Sequence, residues 1–276
     1  MPVDNTLMLL SLAKTFNQTL GVDICDDTKT YIKSTSKIFS KLTNEEKIYY
    51  TKYSMVIAQS LSSYLEKISL FELNTDPEDE IIHDFKLTWK KDNIAHISLE
   101  HNTINTRDII PEKLMKICKY KRNTKLAKAY LESYQKINDD GYKKIQSNTK
   151  YSEVKDKPKN KIILNPMKTL VFNTLSKKRK CASHLYDHLF GESDRIVFRL
   201  YKTRFVMYDF GKELDDVESF KMKIDPENIT VTFNNGAEFA LCLITNATEI
   251  KPHLSLKFKS TFCNMDELFS IEKKSV

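Results

Sequence analysis

Five glycines among 276 residues leave no GxxxxGK[ST] and no GxGxxG anywhere in the chain. The loops that cradle nucleotide phosphates are therefore absent, and ATP-driven chemistry is disfavoured. Cysteine is scarce as well: Cys25, Cys118, Cys181, Cys242 and Cys263 form no CxxC pair. An odd number cannot all be bridged within one chain, so free thiols in a reducing compartment are expected, without disulfides. No apolar run approaches the roughly 20 residues of a membrane span. The apolar start MPVDNTLMLLSLAKTF lacks a basic leading segment and is broken by Lys14. The expectation is an intracellular, cytoplasmic protein with access to DNA and no membrane partner.

What is present is a large apolar and aromatic complement, 41% hydrophobic with 13 Tyr and 15 Phe, enough to bury a substantial core. The net charge of +7 is unevenly spread. Residues 112–180 hold 20 Lys or Arg against 6 Asp or Glu, a balance of +14, which leaves −7 for the rest of the chain. A basic segment inside an otherwise acidic protein points to a polyanionic partner, because each Lys or Arg that meets a phosphate releases condensed counterions. Double-stranded DNA is the first candidate. The plain alternative is a set of solvated Lys faces with no partner.

Residues 5–20 and 28–70 carry apolar positions at helical spacing, among them Tyr31, Ile38, Leu42, Met55, Val56, Leu61, Tyr64 and Leu65. At least three helices are expected there, ended by the turn signal Asn74 to Asp79. His83–Lys91 and Asn93–His101 alternate like two strands of an antiparallel hairpin. Residues 111–137 return to helix, with Pro111 and Glu112 in its first turn. Residues 138–166, polar and Lys-rich, read as a long basic loop or linker. Residues 167–190 read as helix around Lys177, Lys178, Arg179 and Lys180, and Arg195–Phe210 as one or two strands. Four strands follow, Phe220–Ile224, Ile229–Phe233, Glu238–Thr245 and Leu254–Phe262, with a hairpin turn at Asn235-Gly236. The expected organisation is thus 1–137 with a core hairpin, a linker at 138–166, and 167–276 completing one elaborated domain of α+β class.

Metal-dependent phosphodiester hydrolysis needs carboxylates on adjacent strands to hold Mg²⁺, and usually a Lys to polarise the attacking water. Asp84 opens the first strand of the hairpin, and the second offers Ser98, Glu100 and His101 in S-L-E-H-N. Alternation places Ser98 and Glu100 on one face. The bland reading of Glu100 is a solvated strand charge.

The segment HDF…ISLEHN resembles the HaeIII-type restriction endonuclease family, whose core is similar to a PD-(D/E)xK nuclease with an Asp on one strand and S-x-K-H-N ending the next. Asp84, Ser98 and His101-Asn102 match that pattern, and Glu100 stands where the family has Lys. The stretch from Gly236 to Phe262 is also similar to the family's last strands, through Asn246-Ala247-Thr248 and Leu254–Phe258. The resemblance implies a PD-(D/E)xK-like mixed sheet and Mg²⁺-dependent cleavage of double-stranded DNA at a short G·C-rich palindrome. It makes Asp84, Ser98, Glu100 and His101 the catalytic residues, with Asp84 and Glu100 as metal ligands. Palindromic cleavage favours a twofold homodimer, with a monomer acting twice as the alternative. Two departures weaken the site: residues 5–22 lack the family's first-helix Glu, and Glu100 cannot supply the missing cation, for which Lys86 and Lys116 are the candidates from elsewhere in the chain. The competing expectation is a catalytically degenerate DNA-binding protein of the same fold.

Lys121, Arg122 and the Lys177, Lys178, Arg179, Lys180 run are the expected DNA contacts; the run also fits a localisation signal or a solvated helix end. Cys181, His184 and His188 share a helical face that could offer zinc ligands, although a surface cluster is the commoner explanation. Tyr142, Tyr151 and Tyr186 are candidates for base stacking or for core packing.

Overall fold

The Asp4 side chain accepts a hydrogen bond from the Leu7 amide at 3.0 Å, and this cap starts α1 (Asn5–Lys14), which runs on into a π-helical turn at Thr15–Thr19. The computed structural model describes residues 4–74, 84–101, 106–145, 150, 153–177, 179–191, 195–210, 216–245 and 254–276. After α1 come β1 (Asp23–Ile24), α2 (Asp26–Ser40) and α3 (Asn44–Tyr64), the last begun by a capping box between Thr43 and Glu46. The hairpin region contains β2 (Ile68–Leu73), β3 (Phe85–Trp89) and β4 (Asn93–His101). A mostly helical stretch follows with α4 (Leu114–Ile117), α5 (Lys125–Lys144), α6 (Asp156–Lys159), α7 (Asn165–Ser176) and α8 (Ala182–Phe190). Then come β5 (Arg195–Leu200), β6 (Arg204–Asp209), β7 (Phe220–Ile224), β8 (Asn228–Phe233), β9 (Glu238–Thr245), β10 (Leu256–Phe262), α9 (Met265–Leu268) and β11 (Ser270–Ser275). The class is α+β. Among the described residues no helix is long and apolar enough to cross a membrane.

Two compact units share the chain. The first comprises Met1–Ile104, Glu192–Glu213 and Phe269–Val276, and the second Asn105–Gly191 and Leu214–Leu268. The stretch 138–166, expected as a basic loop or linker, falls wholly within the second unit. The chain leaves the first unit after β4, re-enters it for β5 and β6, and returns for β11.

The first unit is a mixed sheet in the order β1-β2-β3-β4-β5-β6-β11. Strands β1 and β2 run parallel, as do β4 and β5, and the other neighbours are antiparallel. Period-two alternation sends Phe85, Leu87, Ile97, Leu99, Ile196, Phe198, Phe205 and Met207 into one core with Leu12, Phe16, Tyr53, Ile57 and Leu61 from the helices. Phe71 stacks on Phe85 at 4.8 Å and meets Phe16 at 5.3 Å; truncating such a ring to Ala typically costs about 3–5 kcal/mol. The Tyr53 hydroxyl donates to the carbonyls of Tyr201 and Arg204, so α3 also fixes the β5–β6 turn. Three strands lie outside the expected set, β1, β2 and β11. Ile68–Leu73 continues an apolar pattern that reads as helix, and β11 pairs with β6 at the sheet edge.

The second unit holds the antiparallel sheet β10-β9-β8-β7. Gly236 sits at φ +90° in the expected Asn235-Gly236 turn, a left-handed conformation that favours glycine. Tyr186, Phe190, Phe233, Phe239 and Phe262 form one aromatic cluster with centroid separations of 4.6–6.3 Å. The expected helix at 111–137 is broken: a 3₁₀ turn at Pro111–Lys113 leads into α4, and α5 restarts where Thr124 caps the Ala127 amide. The expected loop at 138–166 is largely helical where described. Helix α5 continues to Lys144, and α6, a π-helical turn at Asn160–Leu164 and α7 form one continuous rod. Its apolar positions are sparse but well aimed, since Ile163 is fully buried and packs over Gly141.

Candidate functional site

The β3–β4 hairpin sets the first candidate site. Lys86 pairs with His96 across the hairpin, so alternation puts Asp84, two residues before Lys86, on the face of His96, Ser98 and Glu100. The Asp84 amide donates to the Ile97 carbonyl at 2.8 Å, and its Oδ2 accepts from the Leu99 amide at 2.6 Å. Burial raises the Asp84 pKa to about 6, opposed by the Leu99 hydrogen bond and the positive charge of Arg195. Ser98 is fully buried and Glu100 nearly so.

Strand β5 adds what the hairpin sequence lacks. It lies parallel to β4 with Arg195 beside His96, Val197 beside Ser98 and Arg199 beside Glu100. Two guanidiniums therefore share the face of Asp84 and Glu100. Arg195 is fully buried and lies over the Phe210 ring at 5.4 Å, while Arg199 lies over the Tyr201 ring at 5.5 Å. Of the two expected cations, Lys86 shares this face by its pairing with His96 and Lys116 belongs to the second unit, and two arginines from a strand nearly a hundred residues further on join Lys86. The only local signal was R-I-V-F-R, which places Arg195 and Arg199 on one strand face; the parallel pairing that delivers them beside β4 is a tertiary fact.

His101 does not join this group. It projects from the opposite face, where its Nε2 donates to Asn5 Oδ1 at 2.5 Å, while Asn5 Nδ2 donates to the Leu99 carbonyl at 3.2 Å. Burial lowers its pKa. The residue placed in the catalytic set by its motif thus ties β4 to the start of α1.

Mg²⁺ takes oxygen ligands, often one or two carboxylates completed by water or phosphate. Here Asp84 and Glu100 are the two acidic groups, and each has an arginine close by on β5. A metal ion would enter beside the fixed positive charge of Arg195 and Arg199, so this donor set does not fit a resident Mg²⁺. Among the described residues, no three His, Cys, Asp or Glu side chains are grouped to hold a metal. At Cys181, His184 and His188, where zinc is the lesser expectation, His188 Nε2 hydrogen-bonds the Asp108 carbonyl at 3.1 Å and Cys181 is buried.

The basic candidates all lie in the second unit. Lys121 and Arg122 are exposed in the turn before α5. Lys177 is exposed at the end of α7, Arg179 opens the 3₁₀ turn Arg179–Cys181, and Lys180 is exposed; Lys178 lies outside the described residues. Tyr186 belongs to the aromatic cluster, Tyr142 is half-buried, and Tyr151 lies outside the described residues.

These features define an α+β protein whose mixed sheet carries paired carboxylates and arginines, joined to a basic helical unit with its own antiparallel sheet. No protein-family model matches the chain. The chain belongs to the family of uncharacterized protein R607 of Acanthamoeba polyphaga mimivirus, with which it is 40% identical over an alignment of 298 residues that takes in 100% of each protein.

Proposed function

We propose that this protein binds double-stranded DNA and is the cleavage-silent relative implied by its resemblance to HaeIII-type nucleases. One observation carries the reading. Lys113, Lys116, Lys119, Lys121, Arg122, Lys125 and Lys128 are all exposed along the 3₁₀ turn Pro111–Lys113, α4, the following turn and the start of α5, with Glu112 the sole acid among them. None forms an ion pair among the described residues. Cations at a helix N-terminus oppose the macrodipole as well as one another, a local cost that a bound polyanion removes. DNA phosphates supply that charge, with affinity that falls steeply as salt rises.

The sheet face of the first unit supports the silent half of the reading. Glu100 stands where the resembled family has its lysine, and Arg195 and Arg199 share the sheet face of Asp84 and Glu100. Asp84 and Glu100 then act in holding the sheet's polar face together.

A gel shift in EDTA beside a cleavage assay in Mg²⁺ tests this. Binding without cutting is expected. Mg²⁺-dependent cleavage at a short G·C-rich palindrome would overturn the silent reading, and absence of any shift would overturn DNA binding.

A further inference from the structure

The rod formed by α6, the π-helical turn and α7 bears an unusual stripe. Lys157, Lys161, Asn165, Thr169, Asn173 and Lys177 recur every four residues and are all exposed. Two residues after the middle four lie Ile163, Met167, Val171 and Leu175, each fully buried. Two helical positions subtend roughly 200°, so the polar stripe is the side turned furthest from the core. The rod is held firmly: Lys168, itself buried, donates through Nζ to the Pro226 carbonyl in the turn before β8.

An ordinary solvated helix face mixes both signs of charge. This one has none of the negative sign: from Lys157 to Tyr186 the sequence contains no Asp or Glu. Asn165, Thr169 and Asn173 make no side-chain hydrogen bond among the described residues, and Lys157, Lys161 and Lys177 no ion pair. The order along the stripe is also informative. The neutral hydrogen-bonding groups occupy the centre and the cations both ends.

We infer that this helix lies in the major groove of duplex DNA, with Asn165, Thr169 and Asn173 reading base edges and Lys157, Lys161 and Lys177 contacting the flanking phosphates. The inference rests on the DNA-binding reading above and names the surface that would give it sequence preference. A B-form major groove admits an α-helix. At about 1.5 Å per residue, Asn165 to Asn173 spans about 12 Å, or three to four base pairs at roughly 3.4 Å each. Beyond that length the groove curves away and the helix ends meet backbone, where lysines serve. Asn makes a bidentate pair with the N6 and N7 edge of adenine, and a Thr methyl packs on the methyl of thymine. The stripe thus calls for an A·T-containing subsite. A-form RNA has a deep, narrow major groove closed to side chains, so duplex RNA is not its partner.

The test is selection from a randomised duplex library with the full chain, followed by titration of the enriched duplex. The wild type should enrich a motif containing adenines and bind it at least tenfold more tightly than a scrambled duplex. Asn165→Ala with Asn173→Ala should bring that ratio close to one. Replacing the selected adenines by 7-deazaadenine removes the N7 acceptor without touching the protein, and should weaken wild-type binding roughly tenfold per contacted base. If the wild type binds DNA but the double variant keeps the same motif and ratio, or 7-deazaadenine has no effect, the groove assignment is wrong and the DNA-binding reading survives. Equal binding to duplex RNA would also overturn the assignment. If the wild type binds no duplex at all, both readings fall.

Discussion

The Leu99 amide donates to Asp84 Oδ2 at 2.6 Å, so the strand that carries Ser98 and Glu100 also orients the carboxyl at the entry of β3. That hydrogen bond and Arg195 favour the ionised carboxylate, yet burial outweighs them and the pKa rises from its ordinary 3.8 to about 6. The folded state therefore holds this proton more tightly than the unfolded chain. The stabilisation it gives is fully present below pH 3.8 and is lost as pH climbs through 6.

Asp84→Asn should consequently stabilise the protein at pH 7.5 by about 2–3 kcal/mol, following 1.36 kcal/mol per pH unit across that window. The gain should vanish near pH 4, because the wild-type carboxyl is then largely protonated. Asn keeps an acceptor for the Leu99 amide and Ala does not, so Asp84→Ala should be about 1–3 kcal/mol less stable than Asp84→Asn. Urea melts at pH 4 and 7.5 measure both differences; equal stability of wild type and Asp84→Asn at pH 7.5 would contradict the buried-carboxyl argument.

Glu100→Lys restores the S-x-K-H-N pattern, but in this protein it places an ammonium beside Arg199 in a buried position. Loss of the negative partner and addition of a like charge should lower stability by about 3 kcal/mol or more. Glu100→Gln should cost less, since it removes a charge without adding one. Chemical denaturation of the two variants gives the comparison, and a Glu100→Lys protein as stable as wild type would show that Arg199 does not balance Glu100.

The hairpin was legible because Phe85, Leu87 and Trp89 alternate and the neighbouring strand answers in register; so were the Asn235-Gly236 turn and the α+β class. Local signals failed where partners are remote. Ile68–Leu73 is a strand because β1 and β3 flank it, against a pattern that fits the preceding helix. Ser98 and Glu100 could be assigned a shared face from alternation alone. The same rule, carried one residue further, sends His101 to the other face, where the residue it meets is Asn5. Arg195 and Arg199 were invisible as site residues because parallel pairing joins strands whose separation in sequence carries no register information.

Gly141 tests the part of the chain that composition presents as a linker. A Cβ built there would lie 3.0 Å from Ile163 Cγ1 and 3.2 Å from both Ile163 Cδ1 and Leu254 Cδ1. Helix propensity favours Gly→Ala by roughly 1 kcal/mol, but fully buried Ile163 has little room to yield. Gly141→Ala should therefore give a net loss of about 1–2 kcal/mol. With Ile163→Ala the methyl gains space, so the double variant should be less destabilised than the two single losses combined by at least about 0.5 kcal/mol. Additive losses in thermal or urea melts would mean that Gly141 and Ile163 do not pack against each other.

The basic surface itself is tested by salt. Lys121 and Arg122 project from the turn before α5 with no carboxylate partner among the described residues. If both meet phosphates, Lys121→Gln with Arg122→Gln removes two neutralising cations, and the log–log slope of affinity against salt should become shallower by about 1.8, at roughly 0.9 per phosphate. The loss of affinity should be similar for every duplex, because phosphate contacts position a protein without reading its bases. Sequence preference should persist, in contrast to the Asn165 and Asn173 variants. Fluorescence anisotropy between about 50 and 300 mM salt on a selected and a scrambled duplex separates the cases. An unchanged slope would remove Lys121 and Arg122 from the interface, and a weakening confined to the selected duplex would move them from the phosphates to the bases.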